Sequence, residues 1–212
     1  MDIEKLRAKT RPEFTALVVI DMQKDYCCKG GVFDKLGFDL EKPQLLAPRL
    51  NRFIEEVRPI LRLVVYVRME LNPHLRSPVL VEQYERCGLA RKIEPVYSEF
   101  YGVTPRDGDV VIQKYSYSAF VSTYFERLLK ANGIKTLILT GLATNVCVES
   151  TARDGFMRDY HIVVPEDMTE GTSTEAKKWS LFNINMFFGE VVHSAGLLAC
   201  WGSGPEEPSL PC

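Results

Sequence analysis

Short apolar runs alternate along the chain with stretches of helical periodicity. Five runs lack strict alternation of apolar and polar positions, which is typical of strands covered on both faces. They occupy residues 16–20, 63–67, 109–112, 136–139 and 161–164, and Val191 with Val192 indicates a short sixth strand. Between them we predict helices at 44–58, 122–131, 144–159 and 173–187, and a short helix near 79–86. This alternation predicts a parallel sheet with helices on both faces.

One domain accounts for nearly all of the 212 residues. A chain of this length can bury a substantial core. No repeat or linker interrupts residues 1–200, which we predict to be a single domain. Residues 201–212 are rich in Gly, Pro and Ser, so we expect a flexible C-terminal tail there.

Composition disfavours several kinds of partner. Lys and Arg number 26 against 28 Asp and Glu, so we expect neither a nucleic acid nor an anionic membrane as partner. No apolar run reaches the roughly 18 residues of a membrane-spanning helix, and the N-terminus lacks the apolar segment of a secretory signal. The 6 cysteines form no CxxC pair. We therefore expect a cytoplasmic protein with reduced thiols.

Polar residues follow three of the predicted strands. Asp21 follows the first, Lys114 the third, and Cys147 lies beyond the turn 140–143 that ends the fourth. Each alone has an ordinary explanation: a helix cap, a solvated surface lysine and a small core residue. Ligands bind beyond the carboxyl ends of strands in such sheets, so the fold should bring all three together. A carboxylate, an ammonium and a thiol at one edge are the parts of a nucleophilic catalyst.

The chemistry of these three groups is coherent. A free thiol has a pKa of about 8.5, so little thiolate exists at neutral pH. The start of a helix and the cation of Lys114 would favour a negative charge on Cys147, and Asp21 could accept its proton. Backbone N–H groups of the turn 141–147 could stabilise an oxyanion. The 3 histidines occupy no obvious catalytic position, so an Asp/Lys-assisted cysteine fits better than a Cys–His pair.

Three segments resemble the motifs of the isochorismatase-like cysteine hydrolases. Residues 141–156 (GLATNVCVESTARDGF) are similar to the nucleophile motif, 18–26 (VVIDMQKDY) to the aspartate motif and 108–120 (GDVVIQKYSYSAF) to the lysine motif. The resemblance implies a three-layer α/β/α fold around a six-stranded, mostly parallel sheet. It also implies several site features: a catalytic triad of Asp21, Lys114 and Cys147, a cis peptide bond between Leu142 and Ala143, and an oxyanion hole formed by the N–H groups of Ala143 and Cys147.

Subgroups of the family differ in ways that bear on the reaction. True isochorismatases cleave a vinyl ether and lack the cysteine, so Cys147 argues against that reaction. Nicotinamidases carry a metal site built from an Asp-x-His segment and a further His after the second strand. Residues 68–77 offer only His74, so we predict neither a catalytic metal nor another cofactor.

The greatest resemblance is to ureidoacrylate amidohydrolases and to biuret- and carbamoyl-cleaving relatives. It extends to residues 33–42 and 180–191, whereas Met69 and Leu71 depart from the polar and Trp residues of ureidoacrylate enzymes. We therefore predict an amidohydrolase that cleaves a C–N bond of a small ureido, carbamoyl or amide compound through a covalent sulfur intermediate. A nicotinamidase-like carboxamide hydrolase and a non-catalytic binding protein on the same fold are the alternatives. A nucleotide-binding oxidoreductase is disfavoured because no GxGxxG follows the first strand.

Residues beside the motifs are candidates for binding and assembly. Tyr26, Tyr117 and Phe120 are candidate pocket walls, with aromatic core packing as the alternative. Relatives form dimers or tetramers, so a homodimer or homotetramer is expected. Its interface could include the apolar residues Phe187, Phe188 and Leu197.

Overall fold

A single twisted sheet organises the part of the chain that this computed structural model describes, residues 3–70, 72, 74–75, 77–88 and 98–202. The sheet has seven strands in the order β3-β2-β1-β4-β5-β7, with β6 paired to β4, and every strand pair is parallel. The strands are β1 (Thr15–Ile20), β2 (Leu63–Met69), β3 (Val110–Lys114), β4 (Thr136–Leu142), β5 (His161–Pro165), β6 (Thr169–Glu170) and β7 (Glu190–Val192). The predicted parallel sheet is confirmed with its six strands. The two-residue β6 was missed because it is too short to carry a pattern.

Helices connect the strands. Those in the described residues are α1 (Ile3–Lys9), α2 (Lys24–Cys27), α3 (Val32–Lys35), α4 (Glu41–Val57), α5 (Pro78–Arg86), α6 (Phe125–Ala131), α7 (Glu149–Phe156), α8 (Thr174–Phe187) and α9 (Ser194–Cys200). None is long and apolar enough to cross a bilayer. The four short helices α1, α2, α3 and α9 were not predicted, because none has two full turns of apolar periodicity.

Successive residues of β1 point to two separate cores. Leu17 and Val19 join the core that α4 covers, whereas Val18 and Ile20 join the core that α6, α7 and α8 cover. This alternation is the two-residue period of a strand, with both faces apolar because both are buried. Each fully buried Leu, Ile or Val contributes about 1.5–3 kcal/mol relative to exposure. The predicted three-layer arrangement is therefore confirmed.

Three boundaries differ from the sequence-based expectations. The helix predicted at 122–131 begins at Phe125, because Ser122 has a positive φ of 56°. The helix predicted at 144–159 is divided into a π-helical turn, Thr144–Val148, and α7. Trp201, assigned to the flexible tail, donates its indole N–H to the carbonyl of Thr10 at 2.9 Å. The rest of that tail, residues 203–212, lies outside the described residues.

Leu197 does not fit the interface expected for it. It is fully buried beside α1 and α4 in the first core, so the prediction that it contacts a partner is wrong.

Candidate active site

Asp21 occupies the first position after β1, where the backbone turns sharply. Its φ is 50°, in the left-handed region that a residue other than Gly seldom adopts. Its N–H donates to the carbonyl of Val67 in β2 at 2.9 Å, which continues the sheet by one bond. The side chain is almost completely buried. The carboxylate is thereby fixed at the carboxyl edge of the sheet.

Lys114 is the last residue of β3, not the residue after it, and lies in register with Met69 of β2. Its side chain is fully buried. The ammonium Nζ lies 2.7 Å from Oδ2 of Asp21 and 3.3 Å from Sγ of Cys147. It also donates to the carbonyl of Ser116 at 3.2 Å. One buried cation therefore joins the other two predicted groups.

The end of β4 brings Cys147 to this cation. Gly141 has a φ of 95°, and a Cβ at this position would lie 2.1 Å from the carbonyl oxygen of Ile20. Only glycine permits such close approach of β4 to β1. The next peptide bond, between Leu142 and Ala143, is cis. Cys147 then falls within the π-helical turn, whose Val148 N–H donates to the carbonyl of Ala143 at 3.2 Å.

Buried hydroxyl groups hold this turn in place. The Thr151 hydroxyl donates to the carbonyl of Cys147 at 2.8 Å and accepts from the N–H of Ala119 at 3.1 Å. The Ser180 hydroxyl in α8 donates to the carbonyl of Thr144 at 3.0 Å. None of these partners was predicted, because a lone Thr or Ser on a helix gives no sign of the backbone group it will meet.

The charges of the site act on one another strongly. Burial and the negative charge of Asp21 raise the pKa of the Cys147 thiol, although Lys114 acts to lower it. Burial opposes the charge of Lys114, but the negative charge of Asp21 acts against this effect, and the pKa of Lys114 is raised. These shifts favour the protonated ammonium at Lys114 and the neutral thiol at Cys147. The expected help from Lys114 is therefore opposed by burial and by the charge of Asp21.

Asp21 and Cys147 open onto a cavity of about 330 Å³. Its described lining comprises Asp21, Tyr26, Val32, Phe33, Leu36, Phe38, Met69, Gln83, Tyr84, Cys87, Tyr117, Ala143, Asn145, Val146, Cys147 and Thr172. A more open hollow of about 690 Å³ lies along α8, but its described lining includes no Cys or His side chain. A cavity of the smaller size holds one small molecule.

The three predicted pocket aromatics have different positions. Tyr26 and Tyr117 line the cavity, and burial raises the pKa of both phenols, so both hydroxyls remain neutral donors. Phe120 does not line it. Its ring packs edge to face against Phe125 at 4.9 Å in the core that α6 covers, and Arg158 lies 4.9 Å from the ring centroid. The interpretation of Phe120 as a pocket wall is therefore wrong, and its alternative of core packing applies.

Two parts of the cavity lining were not predicted from the sequence. Residues 32–38 supply apolar side chains, and α5 supplies Gln83 and Tyr84. Helical periodicity located α5 but could not show which face meets the cavity. Position 71, where a departure from ureidoacrylate enzymes was noted, lies outside the described residues.

His74 is exposed, and its backbone N–H donates to the Asn72 side chain at 2.9 Å. Within the described ranges, no three His, Cys, Asp or Glu side chains lie close enough together to hold a metal ion.

Comparisons with known proteins agree with this fold. A family model described as an isochorismatase domain matches residues 15–196. A ureidoacrylate amidohydrolase of Klebsiella pneumoniae subsp. pneumoniae is 34% identical over 198 residues, covering 85% of this chain and 84% of the relative.

Solved structures share the fold. A cysteine hydrolase from Pseudomonas syringae pv. phaseolicola superposes with a TM-score of 0.78 at 24% identity, covering 92% of this chain and 95% of the other. An N-carbamoylsarcosine amidase from Thermoplasma acidophilum has a TM-score of 0.66 at 29% identity, covering 85% and 96%.

Fold and relatives together define a hydrolase of the amidohydrolase class, which acts on C–N amide bonds. The chain belongs to the isochorismatase family.

Proposed function

We propose that this enzyme cleaves a C–N bond of a small ureido, carbamoyl or amide compound through a covalent bond to Cys147. The observation that carries this proposal is one buried cation, Lys114, within 2.7 Å of the Asp21 carboxylate and 3.3 Å of the Cys147 sulfur. Asp21 and Cys147 line a cavity large enough for one small substrate, and Lys114 lies behind them, fully buried. Such a set supplies a nucleophile, a base and a charge that orients both.

In the first step, Asp21 takes the proton of the Cys147 thiol as the sulfur attacks the substrate carbonyl. An S–C bond forms, and the carbonyl electron pair moves to oxygen. When the tetrahedral intermediate collapses, the C–N bond breaks and the nitrogen leaves with the proton that Asp21 returns. Ammonia or an amine departs, and the acyl or carbamoyl group stays on sulfur.

In the second step, Asp21 takes a proton from water, and the resulting hydroxide attacks the thioester or thiocarbamate carbon. The S–C bond breaks, and the sulfur recovers its proton from Asp21. A resting thiol that is neutral suits this cycle, because the proton that leaves Cys147 is available for the departing nitrogen.

Backbone donors complete the proposed site. The N–H groups of Ala143 and Cys147 are the candidates for the oxyanion hole, since both residues line the cavity. Removing one such donor typically lowers kcat by about 100- to 1,000-fold. Lys114 orients the Asp21 carboxylate through their buried ion pair.

The substrate class rests on the relatives. One relative is named for ureidoacrylate and another for N-carbamoylsarcosine. Both compounds carry a carbamoyl group, in which the carbonyl carbon is bonded to nitrogen. We therefore assign the same kind of group to the bond that this enzyme breaks.

Replacing the nucleophile tests the proposal. Purified protein is offered a panel of ureidoacrylate, biuret, N-carbamoyl amino acids and nicotinamide, and ammonia release is measured. We expect Cys147→Ala to abolish release, and intact-mass spectrometry of the unmodified protein to detect an acyl or carbamoyl adduct on Cys147. Cys28→Ala, at a cysteine outside the cavity lining, is the matched control and should retain full activity. Ammonia release that survives in Cys147→Ala would contradict the proposal.

A further inference from the structure

One side of the cavity is built from apolar side chains of a single short segment. Val32 and Phe33 of α3, followed by Leu36 and Phe38, all line the cavity, and we call these four residues the apolar wall. The Phe33 ring packs edge to face against Phe38 at 5.3 Å and against Tyr26 at 5.1 Å. Val32 and Phe33 are also nearly buried. Because its members already pack on one another, the apolar wall needs little ordering to receive a ligand.

A backbone contact fixes the apolar wall relative to the site. The N–H of Val32 donates to Oδ1 of the buried Asp25 at 3.0 Å. Asp25 lies in α2, next to Tyr26 and four residues beyond Asp21. The base and the apolar wall are therefore joined by a short, hydrogen-bonded stretch of chain.

Charged groups at the cavity are few. Among the described residues that line it, Asp21 is the single carboxylate, and no Lys or Arg side chain is present. Lys114 lies behind the lining, fully buried, with its charge already paired to Asp21 at 2.7 Å. A carboxylate held against these described residues would lose its hydration without gaining a cation from them, which is unfavourable.

We propose that the preferred substrate is a carbamoyl or amide compound whose remaining part is uncharged and apolar. That part rests on the apolar wall while the carbonyl carbon meets Cys147. The inference depends on the proposed function and narrows it, because it separates this enzyme's preference from compounds such as ureidoacrylate that carry a carboxylate. Burial of an apolar group on a preformed apolar surface supplies the binding free energy.

A pair of substrates of equal shape tests the preference. In 3-ureidopropionate a carboxylate ends the chain, and in 3-methylbutylurea an isopropyl group of the same size replaces it. We expect kcat/KM for ammonia release to favour 3-methylbutylurea by at least about tenfold. The unsaturated pair should show the same preference, with the methyl ester of 3-ureidoacrylate used better than 3-ureidoacrylate itself. Ammonia release reports only on the ureido group, because cleavage of the ester releases no ammonia.

Variants at the rim separate charge from contact area. Leu36 is only partly buried, at the edge of the core that α4 covers, so Leu36→Arg adds a cation to the apolar wall at a position that reaches solvent. Circular dichroism checks that the variant stays folded. We expect it to shift the ratio of kcat/KM values toward 3-ureidopropionate by at least about tenfold. Leu36→Gln should weaken use of 3-methylbutylurea without improving use of the acid. Leu45→Arg, at an exposed position of α4 outside the lining, should change neither.

The outcomes distinguish the two proposals. If unmodified protein turns over both ureas and prefers the carboxylate, this inference is overturned and the proposed function stands. If Cys147→Ala retains turnover, the proposed function fails. Calorimetry with Cys147→Ala measures binding without chemistry, so equal or tighter binding of the acid there would also overturn the inference.

Discussion

Asp21 has two opposing effects on Cys147. Its negative charge raises the pKa of the thiol, and its carboxylate is the proposed acceptor of the same proton. Asp21→Asn removes both the negative charge and the proton acceptor. We expect the thiol pKa to fall, because the ammonium of Lys114 continues to lower it, while turnover falls by about 100- to 10,000-fold because the base is lost. The pH dependence of alkylation at Cys147 by iodoacetamide gives the first quantity, and steady-state ammonia release gives the second.

Lys114→Met provides the control of opposite sign. Without the cation that lowers it, the pKa of the Cys147 thiol should rise further, and alkylation should need still higher pH. Turnover should fall in both variants. Circular dichroism must show that both remain folded, since removal of one member of a buried ion pair costs about 3–5 kcal/mol. A thiol pKa that moves in the same direction in both variants would contradict the assigned charges.

The proximity of the three candidate catalytic residues could be predicted from the sequence, while most of the cavity lining could not. Asp21, Lys114 and Cys147 follow or end recognisable strands, and parallel strands bring their carboxyl ends to one edge. Tyr117 and Phe120 illustrate the limit, because they lie three residues apart and only Tyr117 meets the cavity. Between those positions the chain has no regular period, so the sequence does not fix which way each ring points.

At the scale of elements, the position of the π-helical turn depends on the hydroxyl of Thr151, which binds the Cys147 carbonyl. Thr151→Val keeps the shape but removes the hydroxyl that accepts from the Ala119 N–H and donates to the Cys147 carbonyl. A buried N–H left without a partner costs about 1–3 kcal/mol. We expect that loss in the free energy of unfolding by urea denaturation, together with a lower kcat because Cys147 is less firmly held.

Thr140→Val is the matched control for this prediction. Thr140 is also fully buried, but its hydroxyl only donates, to the carbonyl of Val18 at 3.0 Å. Its removal should cost about 0.5–1.5 kcal/mol and leave kcat close to that of the unmodified protein. A larger loss in Thr140→Val than in Thr151→Val would show that the Ala119 N–H does not depend on Thr151.

Sequence patterns located the long elements because their apolar faces are long enough to repeat. In α4, Leu46, Leu50, Phe53 and Ile54 recur at helical spacing and are all buried. The π-helical turn lacks such a repeat, because Gly141 and the hydroxyl contacts of neighbouring elements hold it in place. Tertiary contacts, not local preference, therefore determine the segment that carries the nucleophile.

At the scale of the whole molecule, the outer face of α8 is the main exposed apolar surface within the described ranges. Trp179, Phe182 and Met186 recur at helical spacing, and Phe187 adjoins them. All four side chains are more than half exposed. Contiguous apolar patches of this kind commonly mark protein interfaces. We propose that a second copy of the chain covers this face, in a homodimer or homotetramer as expected from the sequence.

Light scattering coupled to size exclusion tests this assembly, against a chain mass of 24.1 kDa. We expect two or four chains for the unmodified protein, and one chain or a weakened assembly for the double variant Trp179→Ser, Phe182→Ser.

Leu45→Ser, also at an exposed apolar position but on α4, should leave the assembly intact. The inner face of α8, where Ser180 and Ile184 are buried, is unchanged in the double variant and still supports the π-helical turn. The dissociated double variant should therefore keep the kcat of the unmodified protein, because no described residue of the cavity lining belongs to the exposed face of α8. A monomeric unmodified protein, or an assembly unaffected by the double variant, would show that this face is not the interface.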